Sequence, residues 1–204
     1  MSPRPKPESI EPERLTVVPA TAERWPDVVT LLGGNSDRGC WCQAWRGVDS
    51  AFGRGDPGRN RMLLESQIES GAFAPGLIAY LDGEPVGWCG IGPRAALPRM
   101  VNSRTIPTVD DLPVWSLGCF NIRVGFRRRG VAKALLDAAI EHVRAQGAPA
   151  LEAYPIDPEG TRVDVGFGFV GFTPMFEAAG FRRVLLTDAH SAGRPRWLMR
   201  KDLA

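Results

Sequence analysis

The chain is short of lysine, histidine, tyrosine and cysteine: among 204 residues there are 3 Lys against 22 Arg, 2 His, 2 Tyr and 4 Cys. Of the two histidines, His142 sits beside an apolar helix face and His190 lies in a polar loop and is given no role. The cysteines, Cys40, Cys42, Cys89 and Cys119, are too few and too scattered for a disulfide scaffold, and reduced thiols are expected. A zinc site is disfavoured, because Cys40-x-Cys42 lacks the usual gap and no second pair exists; no metal is expected. No apolar run approaches the roughly 18 residues of a membrane span, and the N-terminus carries no apolar block of a secretory signal, so a soluble, cytoplasmic protein is expected. Charge of one sign is also missing. Lys plus Arg total 25 against 23 Asp plus Glu, a net +2, so no broad positive field gathers nucleic acid, and neither nucleic acid nor membrane is expected as a partner.

What is present is enough apolar sequence, 44%, to build a sizeable core in one domain. Residues 1–14 carry four prolines and, past Met1, the single large apolar Ile10, which predicts a disordered tail ahead of one domain over 15–204. Leu15–Val18 reads as a strand, and Thr21 as the cap of a helix carrying Val28, Val29, Leu31 and Leu32. Residues 35–58 form a long Trp-, Cys- and Arg-bearing loop. Pro57 opens a second helix to about Ser70.

Leu77–Leu81, Asp82-Gly83 and Pro85–Ile91 read as a hairpin, since Asp-Gly is a favoured two-residue turn. After a loop over 92–114 comes a strand to Val124. The helix from 130 to 146 follows, with a wide apolar face of Val131, Leu135, Leu136, Ala138, Ala139, Ile140 and Val143. A strand at 151–154, a helix opened by Thr173-Pro174, and strands at 181–186 and 197–200 close the chain. The strand-helix-strand from 114 to 154 demands a parallel crossover, so the fold class is a mixed α/β (α+β) sheet.

Chemistry concentrates at one corner. The strand Cys119-Phe-Asn-Ile-Arg-Val124 runs into Gly125-Phe-Arg-Arg-Arg-Gly-Val-Ala132 and at once into the strong helix. A tight turn opening a helix presents unpaired N–H groups at the positive helix end, which suits a diphosphate. Gly130 lets backbone and phosphate approach, and Arg127, Arg128 and Arg129 add charge. Four or five such N–H groups at ~1.5 kcal/mol each approach the ~8 kcal/mol of a micromolar ligand. No Gly-Lys-Ser/Thr follows, and there is no Gly-x-Gly-x-x-Gly, so neither a P-loop nor a dinucleotide fold is indicated.

Arg127-x-x-Gly130-x-Ala132, five residues after Ile122, resembles the acetyl-CoA signature of the GNAT superfamily of N-acyltransferases, and Met175-Phe-Glu-Ala-Ala-Gly-Phe181 resembles that family's late helix-to-strand segment. Cys40-Trp-Cys-Gln-Ala-Trp-Arg46, Gly87-Trp-Cys89 and Pro113-Val-Trp-Ser together resemble a bacterial subgroup with a Cys-Trp-Cys loop. The resemblance implies a mostly antiparallel sheet with helices on both faces, whose parallel strands 4 and 5 splay around a thioester. It implies that acetyl-CoA is the cosubstrate and that an amine attacks it directly in a ternary complex. Backbone groups of Ile122 and Val124 would pair with the pantetheine arm, an N–H near Ile122 would polarise the thioester carbonyl, and Arg127 to Ala132, Val131 included, would hold the pyrophosphate.

An amine with a Lys-like pKa near 10 must lose a proton. Glu152 is the first candidate base, followed by Asp110, Asp111 and Asp157. The family's leaving-group Tyr is replaced by Phe176, which is left as a cofactor contact; Tyr154 or Thr173 could stand in. Phe169 stands where many members carry Asn. Cys119 is the best placed of the thiols for a nucleophile, although buried packing is the favoured reading. Trp41, Trp45, Trp88 and Trp115 fit equally a substrate pocket that attracts an ammonium, partnered by Asp110 or Asp111, and plain core packing. His142 reads as a packing residue. The acceptor is a small-molecule or protein amine, and a homodimer is compatible with the resemblance. The alternatives are a non-catalytic acyl-CoA sensor or assembly module, and a nucleic-acid binder using Arg127 to Arg129.

Overall fold

A computed structural model describes residues 8–34, 40–41, 43–47, 56–160, 163 and 167–203. Seven strands form one sheet: β1 Leu15–Pro19, β2 Gly76–Leu81, β3 Glu84–Pro93, β4 Trp115–Ile122, β5 Ala150–Ala153, β6 Arg182–Ser191 and β7 Arg194–Asp202. The helices are α1 Trp25–Leu32, α2 Pro57–Ser70, α3 Pro98–Val101, α4 Val131–Ala145 and α5 Thr173–Ala178. The spatial order is β1-β2-β3-β4-β5-β7-β6. Every pairing is antiparallel except β4 with β5. This is the mixed, mostly antiparallel sheet that the crossover and the resemblance require.

Alternation along the strands sorts the core into two faces. Leu77, Ala79, Cys89, Leu117, Leu151 and Met199 point to the side covered by α4 and α5, where Leu135, Leu136, Ala139 and Phe176 meet them. Ile78 and Trp88 point to the other side, against Val28, Leu31 and Leu32 of α1 and Leu64 of α2. The β3–β4 connection covers the rest of that second face, packing Leu97, Met100 and Ile106 on Tyr154 and Leu198.

Local chemistry explains the elements. Asp82 and Gly83 both have positive φ, and Leu81 faces Glu84, the two-residue hairpin that Asp-Gly favours. Asp56 caps α2, its carboxylate accepting from the N–H groups of Gly58 and Arg59. The first turn of α4 packs so tightly over β3 that a Cβ at Gly87 would lie 2.8 Å from Val131 Cγ1, 3.0 Å from Ile122 Cδ1 and 3.1 Å from Leu135 Cδ1. Gly87→Ala is therefore expected to destabilise by about 1–3 kcal/mol, the usual cost of overpacking. Urea unfolding checks this, and an unchanged midpoint would mean that α4 can lift off the sheet at no cost.

Residues 8–14 differ from the expected disordered tail. Ile10 is buried in the α4 face of the core, and its N–H donates to Arg129 C=O at 3.0 Å. The Arg129 Nε in turn donates to Glu8 C=O at 3.1 Å. One apolar side chain, these two bonds to Arg129 and the pairing of Arg14 with Asp82 order this stretch, which a compositional argument averages away. Residues 1–7 of the expected tail lie outside the described residues, as does Cys42. No described helix is long and apolar enough to cross a membrane.

Candidate active site: a backbone corner and a buried cleft meeting at the strand splay

β4 and β5 are paired only at Trp115–Leu151, Ser116–Glu152 and Leu117–Ala153. Two features part them there. On β4 the register with β3 passes from Cys119–Gly90 to Leu117–Ile91, leaving Gly118 as the extra residue of a bulge. On β5, Pro155 has no N–H to extend a ladder, and Ile156 pairs instead with Phe172 and Arg196. Beyond the bulge the N–H of Arg123 donates to Val86 C=O on β3. Backbone groups alternate sides along a strand, so those of Phe120 and Ile122 face the opened side. Arg127 Nε donates to the Ile122 carbonyl there, at 2.9 Å. Val124 follows, 81% exposed.

The corner after β4 turns through positive φ at Gly125, Arg128 and Gly130, at +95°, +61° and +99°. Gly130 is the residue that caps α4, and a Cβ added to it would meet nothing within 4 Å. The N–H groups of Arg127, Arg128, Arg129, Gly130, Val131 and Ala132 have no bonded partner among the described residues. The first N–H to engage is that of Ala134, on Gly130 C=O. Arg127 and Arg128 are exposed, and Arg129 is tied to the N-terminal segment. The corner is thus a row of free donors beside open space at a positive helix end, which fits a diphosphate.

On the opposite face of the sheet, at the same splay, lies a narrow cleft with a cavity volume of only about 10 Å³, room for about one water, lined by Trp45, Arg46, Leu97, Ser116, Gly118 and Cys119 among others. The Trp45 indole N–H donates to Gly118 C=O at 3.1 Å, at the bulge itself. Arg99 fixes this segment from the β3–β4 connection by donating to Ala44 C=O at 2.8 Å.

Behind the cleft is a buried charged row. Ser116, Glu152 and Arg200 are cross-strand neighbours on β4, β5 and β7. Glu152 is 2% exposed. Its Oε1 accepts from Arg200 Nε and Nη2, at 3.1 and 2.6 Å, and its Oε2 from Arg94 Nη1 at 3.3 Å and the Tyr154 hydroxyl at 2.7 Å. All four acceptor sites of the carboxylate are therefore filled by the protein. Arg200 also grips Asp110, holding that carboxyl below its ordinary range. Tyr154 is pushed up by burial and the neighbouring Glu152, so it stays a phenol. Its hydroxyl also takes a bond from Arg94 and lies 3.4 Å from Ser116 Oγ, which lines the cleft.

The other residues singled out by sequence are dispersed. Trp41, Trp88 and Trp115 are core: Trp41 stacks on Trp25, Trp88 is fully enclosed, and Trp115 meets Phe73 and His142 edge-on. Of the four indoles only Trp45 borders the cleft. Burial lowers the His142 pKa. Phe176 is fully buried between Phe120 and Phe181, so its ring presents no surface to a cofactor. Asp110 is committed to Arg200 and does not stand free for an ammonium, while Asp111 is exposed. Asp157 pairs with Arg183 at 2.6 Å. Among the described residues no His, Cys, Asp or Glu cluster could hold a metal. Arg94, Ser116, Arg196 and Arg200 were missed: arginines spread through a chain with 22 of them carry no local signal, and only long-range pairing gathers these.

A corner of free N–H groups after a bulged strand, with two parallel strands splayed beside it, is the arrangement on which the comparison with known families bears. The model of the acetyltransferase (GNAT) family matches residues 43–162, more than half of the chain. The chain belongs to that family and is an acyltransferase.

Solved structures agree on the fold. A GCN5-related N-acetyltransferase from Kribbella flavida superposes with a TM-score of 0.58 at 18% identity, over 95% of this chain and 100% of that one. A ribosomal-protein-alanine N-acetyltransferase from Brucella melitensis gives 0.54 at 17%, over 92% and 99%. The yncA protein of Salmonella typhimurium, solved with its cofactor acetyl-CoA, gives 0.55 at 10%, over 94% and 95%. No curated protein matches the sequence.

Proposed function

We propose that this chain transfers the acetyl group of acetyl-CoA to a primary amine by direct attack in a ternary complex. The observation that carries the reading is the meeting of two approaches at one splay: the donor corner after β4 on one side, and the Trp45–Ser116–Cys119 cleft on the other. Bound acetyl-CoA would supply an acyl carbon activated by its thioester. The N–H groups of Arg127 to Ala132 hold the pyrophosphate, the outward backbone groups of Ile122 and Val124 take the pantetheine arm, and an N–H at the opened edge of β4 polarises the carbonyl. Arg127 must then release the Ile122 carbonyl to free it for the arm.

The amine nitrogen forms the new C–N bond, the C–S bond breaks, and the proton lost by nitrogen is matched by one gained by sulfur. A thiol of pKa near 8.5 leaves without a strong acid, so Phe176 in place of a tyrosine is tolerable. With every acceptor site of Glu152 filled, its role is to hold Tyr154, Arg94 and Arg200 in place. The proton leaves through Ser116 or water in the cleft.

Calorimetry with acetyl-CoA should give micromolar binding, and a thiol assay should show CoA release with a subset of amines. No binding at hundreds of micromolar would overturn the reading. Tight binding without CoA release across a broad amine panel would favour a non-catalytic acyl-CoA module.

A further inference from the structure

On the cleft face, three arginines are almost wholly buried: Arg94, Arg196 and Arg200, at 7%, 6% and 4% exposure. Two carboxylates serve them. Glu152 takes Arg94 and Arg200, and Asp110 takes Arg200 again. Arg196 has neither. Its Nε donates to Tyr154 C=O at 2.7 Å, and its guanidinium lies over the Trp45 ring, 5.3 Å from the centroid. Both Nη nitrogens lack a partner among the described residues, yet neither is sealed from solvent. Asp157, one strand-bridge away, is held by Arg183.

Arginine does not shed its charge to escape burial. A desolvated cation without a carboxylate is costly, and stacking on an indole offsets only part of that cost. Burial pulls the Arg196 pKa down to about 10, in the same sense. The ring that Arg196 stacks on is the ring that bonds Gly118 at the splay and borders the cleft. Trp45 is thus shared between the cation and the cleft where the proposed amine arrives.

We infer that Arg196, with Trp45 as its platform, binds a carboxylate carried by the acceptor amine, through its two unused Nη nitrogens in the fork geometry that guanidinium and carboxylate share. This rests on the acetyl-transfer reading and specifies its substrate as a small amino acid or ω-amino acid.

The test is a set of matched acceptors: α- and ω-amino acids of one to five methylenes, each against the same amine without the carboxylate, assayed by CoA release with wild-type protein. At the best length kcat/KM should favour the carboxylate by at least about tenfold, and Arg196→Met and Arg196→Lys should bring the ratio near one. Equal rates within every pair, in protein that binds acetyl-CoA and turns over, would overturn this inference and leave the acetyl-transfer reading standing. Absence of acetyl-CoA binding would sink that reading instead, and the carboxylate site is then judged by quenching of tryptophan fluorescence by the same pairs. A peptide pair with and without an acidic second residue completes the panel, and a preference confined to it would overturn the small-molecule assignment. If the variants do not fold, the wild-type ratios decide alone.

Discussion

Gly130→Glu is expected to weaken acetyl-CoA binding at least about 100-fold while leaving the fold intact. The residue caps α4 at φ +99°, where an L side chain is strained, and a Cβ there would point into open space. The cost should therefore fall on the ligand and only slightly on packing. Losing two charge-assisted N–H bonds at ~1.5 kcal/mol each amounts to roughly 3 kcal/mol, or about two decades of affinity, before like-charge repulsion is added. Gly130→Ala brings the strain without bulk or charge and should lose much less. Calorimetry beside circular dichroism measures both, and wild-type affinity in the glutamate variant would place the pyrophosphate elsewhere.

Glu152→Ala should act on stability before it acts on chemistry. Removing the carboxylate leaves Arg94 and Arg200 buried with Asp110 as the one remaining counter-ion among the described residues, and it takes from the Tyr154 hydroxyl the acceptor at 2.7 Å. Breaking a buried ion pair from one side costs about 3–5 kcal/mol. In a chain of this length that lowers Tm by roughly 6–20 °C. Glu152→Gln keeps the shape and loses the charge, so it should fall between. An alanine variant of undiminished Tm with slow turnover would instead give the carboxylate a place in the chemistry, and the hydrogen-bond accounting above would be wrong.

The contrast between these two positions shows what was legible in the sequence. The corner is a local object: Gly125, Gly130, three arginines and the apolar periodicity of Val131 to Val143 are contiguous, and the chain geometry they encode appears as Val131–Ala145 preceded by three positive-φ residues. The hairpin at Asp82-Gly83 is local in the same way.

The buried charge row is not. Arg94 meets Glu152 across 58 residues, and Asp110 meets Arg200 across 90. Nothing in the composition of the 92–114 loop tells that one of its arginines is nearly fully enclosed. The four indoles were equally ambiguous, because an indole satisfies a core and a pocket alike. Only the fold could show that Trp41, Trp88 and Trp115 pack while Trp45 borders the cleft. β6 and β7 extend well past the apolar stretches 181–186 and 197–200, because the Ala192-Gly193 turn, with both φ positive, lets their polar ends keep pairing.

The junction of Ile10 with Arg129 has a practical side. Trimming the protein to start at Leu15, as its proline content invites, would delete the segment that bonds to the backbone and side chain of Arg129 and fills a place in the α4 side of the interior. The loss would surface as a slack nucleotide grip in an otherwise well-folded protein, and an inert truncated sample would say nothing about the enzyme.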